Sequence, residues 1–129
     1  MFRNGSAWIL PVFWAIALFA LSSIPDFTTK SLAITLSDKI WHIIAYLPLG
    51  FWLHYAIEQK PGPFASAPAN WAVFLGSLYG FVDEFHQYFV PGRFLDAHDL
   101  LANTAGVLSG TVLFLLYRKI VFRQKENTS

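Results

Sequence analysis

Four apolar runs separated by short polar connections divide the chain, at residues 7–22, 38–57, 70–89 and 97–120. Each approaches the ~20 residues that cross a bilayer as a helix. The pattern predicts an all-α integral membrane protein, a compact bundle of four transmembrane helices, with one domain over residues 1–122 and a polar, frayed tail over 123–129. Pro11 falls in the first turn of the first run, where a missing N–H costs little, and Pro48 predicts a kink in the second. Residues 60–70 (KPGPFASAPAN) read as a turn-rich loop and 90–94 (VPGRF) as a Pro-Gly turn, while the first connection spans about 23–37. Trp8, Trp41 and Trp71 sit near run ends, as an interfacial belt would place them. Arg3 followed by an apolar stretch and Ala20-Leu21-Ser22 also fits a signal peptide, but the run is long for such a segment.

Polar positions within the runs fall on stripes. At about 100° per residue, Asp96, Asp99, Asn103, Gly106 and Gly110 share an arc of about 80°, with the acids outermost and the glycines deepest. Gly76, Gly80, Glu84 and Gln87 share a similar arc on the third run, again with the polar residues outermost. Asp38, His42 and Tyr46 follow i, i+4, i+8 on the second. Three helices thus carry polar groups at one mouth.

Charge gives that mouth a side. The end holding the N-terminus carries Arg3, Lys60, Arg118, Lys119, Arg123 and Lys125 against Glu58 and Glu126, a balance of +4. The other end carries Lys30, Lys39 and Arg93 against Asp26, Asp38, Asp83, Glu84, Asp96 and Asp99, a balance of −3. The positive-inside rule makes both termini cytoplasmic and turns the acidic end outward, and cleavage of the first run would leave that orientation unchanged.

Composition excludes several classes. The chain of 129 residues is 55% hydrophobic and 18% aromatic, which leaves no room for a separate catalytic domain beside the membrane bundle. Cysteine is absent, so there is no disulfide framework, thiol nucleophile or Cys-zinc site. A formal charge of +1 makes no case for nucleic acid. Acids beside hydrocarbon cost roughly 2.5–3.5 kcal/mol each at a helix centre, so six of eight carboxylates at one end point to a function there.

Each candidate also has a plainer reading. The two G-x-x-x-G pairs let helix backbones approach, and Asn103 serves either as interhelical glue or as a site residue. Asp96 suits a helix N-cap, while Asp83 and Lys39 suit positions facing headgroups. Arg93, in the turn between two acid-bearing ends, is placed for a bidentate pair with Glu84, Asp96 or Asp99. His54 lies near the cytoplasmic end and reads as interfacial, and His86 and His98 flank the stripes. His42, His86 and His98 with the acids are suitable metal-ligand types, but no HExxH-like spacing appears, so no metal or cofactor is assigned. Ser37 and Ser109 lack a nucleophile's surroundings.

Residues 37–50 (SDKIWHIIAYLPLG) and 84–110 (EFHQYFVPGRFLDAHDLLANTAGVLSG) resemble the VanZ-like family of small membrane proteins. The shared pattern is D-K-x-x-H-x-x-x-Y, then E-x-x-Q, P-G-R and D-x-x-D-x-x-x-N-x-x-G-x-x-x-G, over about three-quarters of the chain. The resemblance implies a multi-pass protein of a bacterial cytoplasmic membrane. It points to Asp38, Lys39, His42, Tyr46, Glu84, Gln87, Arg93, Asp96, Asp99 and Asn103 as the site. The family's namesake is associated with resistance to the lipoglycopeptide teicoplanin, so antibiotic resistance enters as an implication about the group.

Three functions compete. The polar mouth binds or modulates an envelope component: a lipid-linked precursor, a phospholipid headgroup or the lipoglycopeptide. Alternatively the chain is an intramembrane enzyme on a lipid-linked substrate, with Glu84 and Asp99 as acid–base pair and Arg93 stabilising developing charge. A small transporter ranks last, because the stripes stop at mid-depth and show no polar path across. The residues leave the oligomeric state open.

Overall fold

A computed structural model describes residues 5–25, 32–60 and 62–128; Asp26 and Lys30 lie outside them. A 3-10 turn at Ser6–Trp8 leads into α1 (Ile9–Ser22), followed by α2 (Leu32–Glu58), α3 (Pro68–Gln87) and α4 (Ala97–Thr128). The described residues contain no strand. Every predicted run is therefore a helix, with shifted boundaries. The second helix begins at Leu32, inside the segment read as a connection. The third begins at Pro68, inside the segment read as a turn-rich loop, because proline is tolerated in a helix's first turn, and it ends at Gln87 rather than 89. The fourth continues to Thr128 rather than fraying at 123, because Arg, Gln, Lys and Glu are good helix formers even when exposed.

Two of the four helices, over Leu36–Glu58 and Ala97–Asn127, are long and apolar enough to cross a membrane. The apolar first helix is short, with its opening turn covering Ser6–Ser22. The third, at 20 residues, carries Asn70, Asp83, Glu84, His86 and Gln87, which dilute its apolarity.

The pairing of α2 with α4 is the tightest in the bundle, and glycines set it. A Cβ on Gly110 would run into the Leu47 carbonyl, and one on Gly106 would meet the Ile43 carbonyl at 2.5 Å. Val107, fully buried, is clamped from two sides. A Cβ on Gly50 would strike its backbone, and one on Gly76 would approach its Cγ1 at 2.6 Å. Small residues on the packed faces thus act as the sequence predicts, letting backbones approach where apolar burial against lipid supplies little driving force. Leu18, Tyr46, Leu49, Leu53, Ile57 and Ala72 pack around Val107 as the main core, and Phe114 with Ala7, Tyr55 and Ala56 forms a second cluster.

The outer surface is apolar on all four helices. Phe13 and Ile16 on α1, Ile40 and Ile44 on α2, Phe81 and Phe85 on α3, and Leu101 and Leu116 on α4 are among the exposed side chains. Polar groups collect inside, where the C-terminal ends of α1 and α3 meet the N-terminal ends of α2 and α4.

Candidate functional site

The α3–α4 connection is built to bring acids back into the bundle. Arg93 N–H bonds to Val90 O at 3.0 Å, closing a turn in which Pro91 precedes Gly92 at φ +76°. That positive φ is what a Pro-Gly turn of this form requires of its third residue. Asp96 then caps α4: its Oδ1 accepts the His98 backbone N–H at 2.8 Å and lies 3.1 Å from His98 Nδ1. The cap reading of Asp96 holds, and its second oxygen has another task.

Lys39, from the start of α2, reaches across to α4. Its ammonium bonds to Asp96 Oδ2 at 2.7 Å and to Asp99 Oδ1, with Asp38 Oδ2 at 3.8 Å. It therefore takes the carboxylates that the sequence offered to Arg93, and it does not face headgroups as its plainer reading had it. The hydrogen bond from Lys39 holds Asp96 well below the usual carboxylate range, at about 2, with burial opposing and the two bonds from His98 assisting.

One turn deeper, His42 Nδ1 pairs with Asn103 Oδ1 at 2.7 Å. Its Nε2 faces Asp99 Oδ1 at 3.7 Å and Asp38 Oδ1 at 3.9 Å, so the three residues bring potential metal-ligand atoms within 4.8 Å of one another. Asn103 is fully buried, and its Nδ2 has no hydrogen-bond partner.

Glu84 and Gln87 face inward from α3, at 2% and 4% exposure. A Cβ on Gly80 would lie 3.2 Å from Asn103 Cβ, which sets the register of the antiparallel α3 and α4. One turn outward on each brings Glu84 level with Asp99. Neither Glu84 oxygen has a hydrogen-bond partner of good geometry among the described residues, although the Asp96 backbone lies near enough to interact with it.

Arg93 departs from its expected place. It pairs with none of Glu84, Asp96 and Asp99 among the described residues; its Nε bonds to the Ile24 carbonyl at 3.1 Å, just beyond α1. The physical reason is reach: the turn sends Arg93 towards α1, while Lys39 already bridges the two α4 acids.

Asp83 is the clearest correction. It does not face headgroups but is 3% exposed, accepting Ser22 Oγ at 2.5 Å and Tyr46 Oη at 2.7 Å. It thereby ties α1, α2 and α3 together. Sequence reasoning passed over Ser22, the last residue of its helix, and a wheel drawn for the α4-facing stripe leaves Asp83 about 100° aside. A second stripe, facing α1 and α2, would have found it.

These groups frame an open cavity of about 140 Å³ between α1, α2 and α3. Its polar lining is Arg93, Gln87, Asp38, His42 and the Asp83–Tyr46–Ser22 cluster, and its apolar lining is Leu18, Leu21, Trp41 and Ala45. The candidate site is therefore two linked parts. One is the cavity, and the other is the closed Lys39–Asp96–Asp99 network with Glu84 and Asn103 behind it. Asp38 and His42 belong to both.

Other histidines are placed elsewhere. His54 is fully buried against Phe114, at 4.7 Å between ring centres, and is not interfacial. His86 stacks on Phe19 at 4.3 Å, and His98 stays exposed beside Asp96.

Apolar outer faces around a polar cluster enclosed at one end of the helices are features of a helical membrane protein. The chain is a member of the VanZ-like family: the family described as VanZ/LLP1 matches residues 3–118. No curated protein and no solved structure matches it significantly.

Proposed function

We propose that this chain is a four-span protein of a bacterial cytoplasmic membrane that holds the polar head of an envelope amphiphile in its outward-facing cavity. The observation that carries the reading is the cavity itself, lined by both charged or polar and apolar side chains. Such a lining suits a headgroup whose chain leaves along Trp41, Leu18 and Leu21. The apolar exposure of α1 and α3 supports their crossing the membrane although one is short and the other polar-rich. The charge balance supports cytoplasmic termini.

Size narrows the ligand. A cavity of about 140 Å³ has room for roughly five waters at ~30 Å³ each. A lipoglycopeptide cannot be engulfed, whereas a phosphate-sized head can. Ser22 and Tyr46 are committed to Asp83, so among the lining groups the Arg93 fork, the Gln87 amide and the His42 ring can meet it, with Arg93 set against the Asp38 carboxylate. Phospholipid headgroups and lipid-linked wall precursors both present that chemistry. Teicoplanin resistance, on this reading, follows from altered handling of the envelope lipid rather than from capture of the drug.

Intramembrane catalysis is the second reading, favoured by the unpartnered Glu84 carboxylate. Against Glu84 and Asp99 as an acid–base pair stand the ammonium on Asp99 and the absence of both residues from the cavity lining.

Native mass spectrometry of the purified protein with phosphatidylglycerol, a polyprenyl phosphate and a neutral diacylglycerol tests the proposal. Retention of a phosphate-bearing lipid, lost in Arg93→Gln, is expected. Equal retention of the neutral lipid, or retention unchanged in Arg93→Gln, would sink it; conversion of a lipid to product, lost in Glu84→Gln, would favour the enzyme. Teicoplanin susceptibility of a sensitive Gram-positive host carrying wild type or Arg93→Gln then asks whether binding protects the cell.

A further inference from the structure

We infer that Asp38, His42 and Asp99, backed by Glu84, form a binding site for a divalent ion of the zinc and manganese class. One ligand atom from each of the first three lies within 4.8 Å of the others, with His42 Nε2 at 3.7 Å from Asp99 Oδ1 and 3.9 Å from Asp38 Oδ1. Those gaps are too long for hydrogen bonds. Around a tetrahedral ion with bonds of about 2.0–2.1 Å, ligand atoms sit roughly 3.3–3.4 Å apart. Small side-chain rotations would bring both pairs to coordinating distance.

The histidine is oriented for the task. Its Nδ1 lies 2.7 Å from Asn103 Oδ1, so the tautomer protonated at Nδ1 makes that bond and leaves Nε2 to coordinate. Nε2 then faces two carboxylates, a setting that favours a proton or a metal ion between them. Metal-bound histidines use their other nitrogen in this way.

Glu84 supplies an independent observation. It is 2% exposed, neither oxygen has a hydrogen-bond partner of good geometry among the described residues although the Asp96 backbone lies near enough to interact, and the helix register sets it level with Asp99. A buried carboxylate without a partner needs a proton or a cation. Lys39 offsets one of the three carboxylates Glu84, Asp96 and Asp99. A divalent ion would offset two more. An imidazole with carboxylates suits zinc or manganese better than a soft ion. Asp38 and His42 also line the cavity, which gives the ion a way in.

Lys39 makes the site unusual, because its ammonium already sits on Asp99 Oδ1. Ion and ammonium therefore compete for Asp99, and Asp96 keeps Lys39 anchored when Asp99 turns to the ion. Removing the ammonium should tighten ion binding, a result that nonspecific adsorption to acids on the surface would not give.

The test uses the full chain in detergent, stripped with a chelator and dialysed against Zn2+ or Mn2+, with bound metal counted per chain. One ion per chain is expected. Uptake should weaken in His42→Ala and Asp99→Asn by at least the ~10-fold that loss of even an outer-shell partner costs. Lys39→Gln should bind more tightly than wild type, and Zn2+ should raise the thermal midpoint of wild type but not of His42→Ala. The more conservative His42→Asn serves if the alanine variant does not fold. No saturable uptake in either wild type or Lys39→Gln would overturn the proposal, as would uptake indifferent to both His42 variants. No lipid is present, so failure here leaves headgroup binding untouched, and failure of headgroup binding leaves this site untouched.

Discussion

Tyr46 on α2 donates its hydroxyl to Asp83 Oδ2 on α3 across 2.7 Å, and both residues are buried. Ser22 completes the pair from α1. Three helices therefore depend on one carboxylate. Tyr46→Phe removes a hydrogen bond to a charged group, worth about 1.5–3 kcal/mol, and leaves the ring packing intact. Unfolding in detergent should show that loss. Asp83→Ala should cost more, because it leaves two hydroxyls without an acceptor. A Tyr46→Phe variant as stable as wild type would mean that Asp83 is satisfied in some other way.

The α2–α4 interface gives a graded prediction. A Cβ at Gly110 would meet the fixed Leu47 carbonyl, whereas one at Gly80 would meet the Asn103 side chain at 3.2 Å. Backbone cannot give way as a side chain can. Gly110→Ala should therefore destabilise by at least the ~1–3 kcal/mol of ordinary overpacking, and Gly80→Ala by less. The ratio of folded to aggregated protein after detergent extraction reads the order, and a reversed order contradicts the packing described.

Much of this was legible in the sequence because helical periodicity fixes which residues share a face. Glu84, Gln87, Asp99 and Asn103 are buried as their stripes require, and Asp38 and His42 meet the α4 polar residues. Periodicity does not say which helix a second face will meet, so Asp83 and Ser22 escaped. Nor does it tell which of two cations reaches an acid. Arg93 is nearer in sequence to Asp96 and Asp99, yet Lys39 holds them from 57 and 60 residues away. The fourth-helix tail was misread because polarity alone does not end a helix; a breaker does.

His54 poses a question of stability. It is fully buried, and neither ring nitrogen has a hydrogen-bond partner of good geometry. An unmet buried polar group costs about 1–3 kcal/mol, so His54→Leu, similar in volume and packed against Phe114, should hold or raise the thermal midpoint. A marked fall would instead reveal a bond to the imidazole or a role for it at that end of the bundle.

Acid should open the polar mouth late. The bond from Lys39 holds Asp96 at about 2, below its ordinary 3.8. A carboxylate depressed on folding contributes stability that is fully present above its unfolded value and lost as pH falls through its folded one. The Lys39–Asp96 link should therefore stand at pH 5, weaken below pH ~4 and be gone below pH ~2. Asp96→Asn, which cannot carry the charge, should lose that part of the acid dependence while still capping α4. Unfolding midpoints of wild type and Asp96→Asn, compared from pH 5 down to pH ~2, should converge as acid is added. Curves that stay parallel would show that Asp96 carries no charge-dependent share of the fold, and that Asp99 alone anchors Lys39.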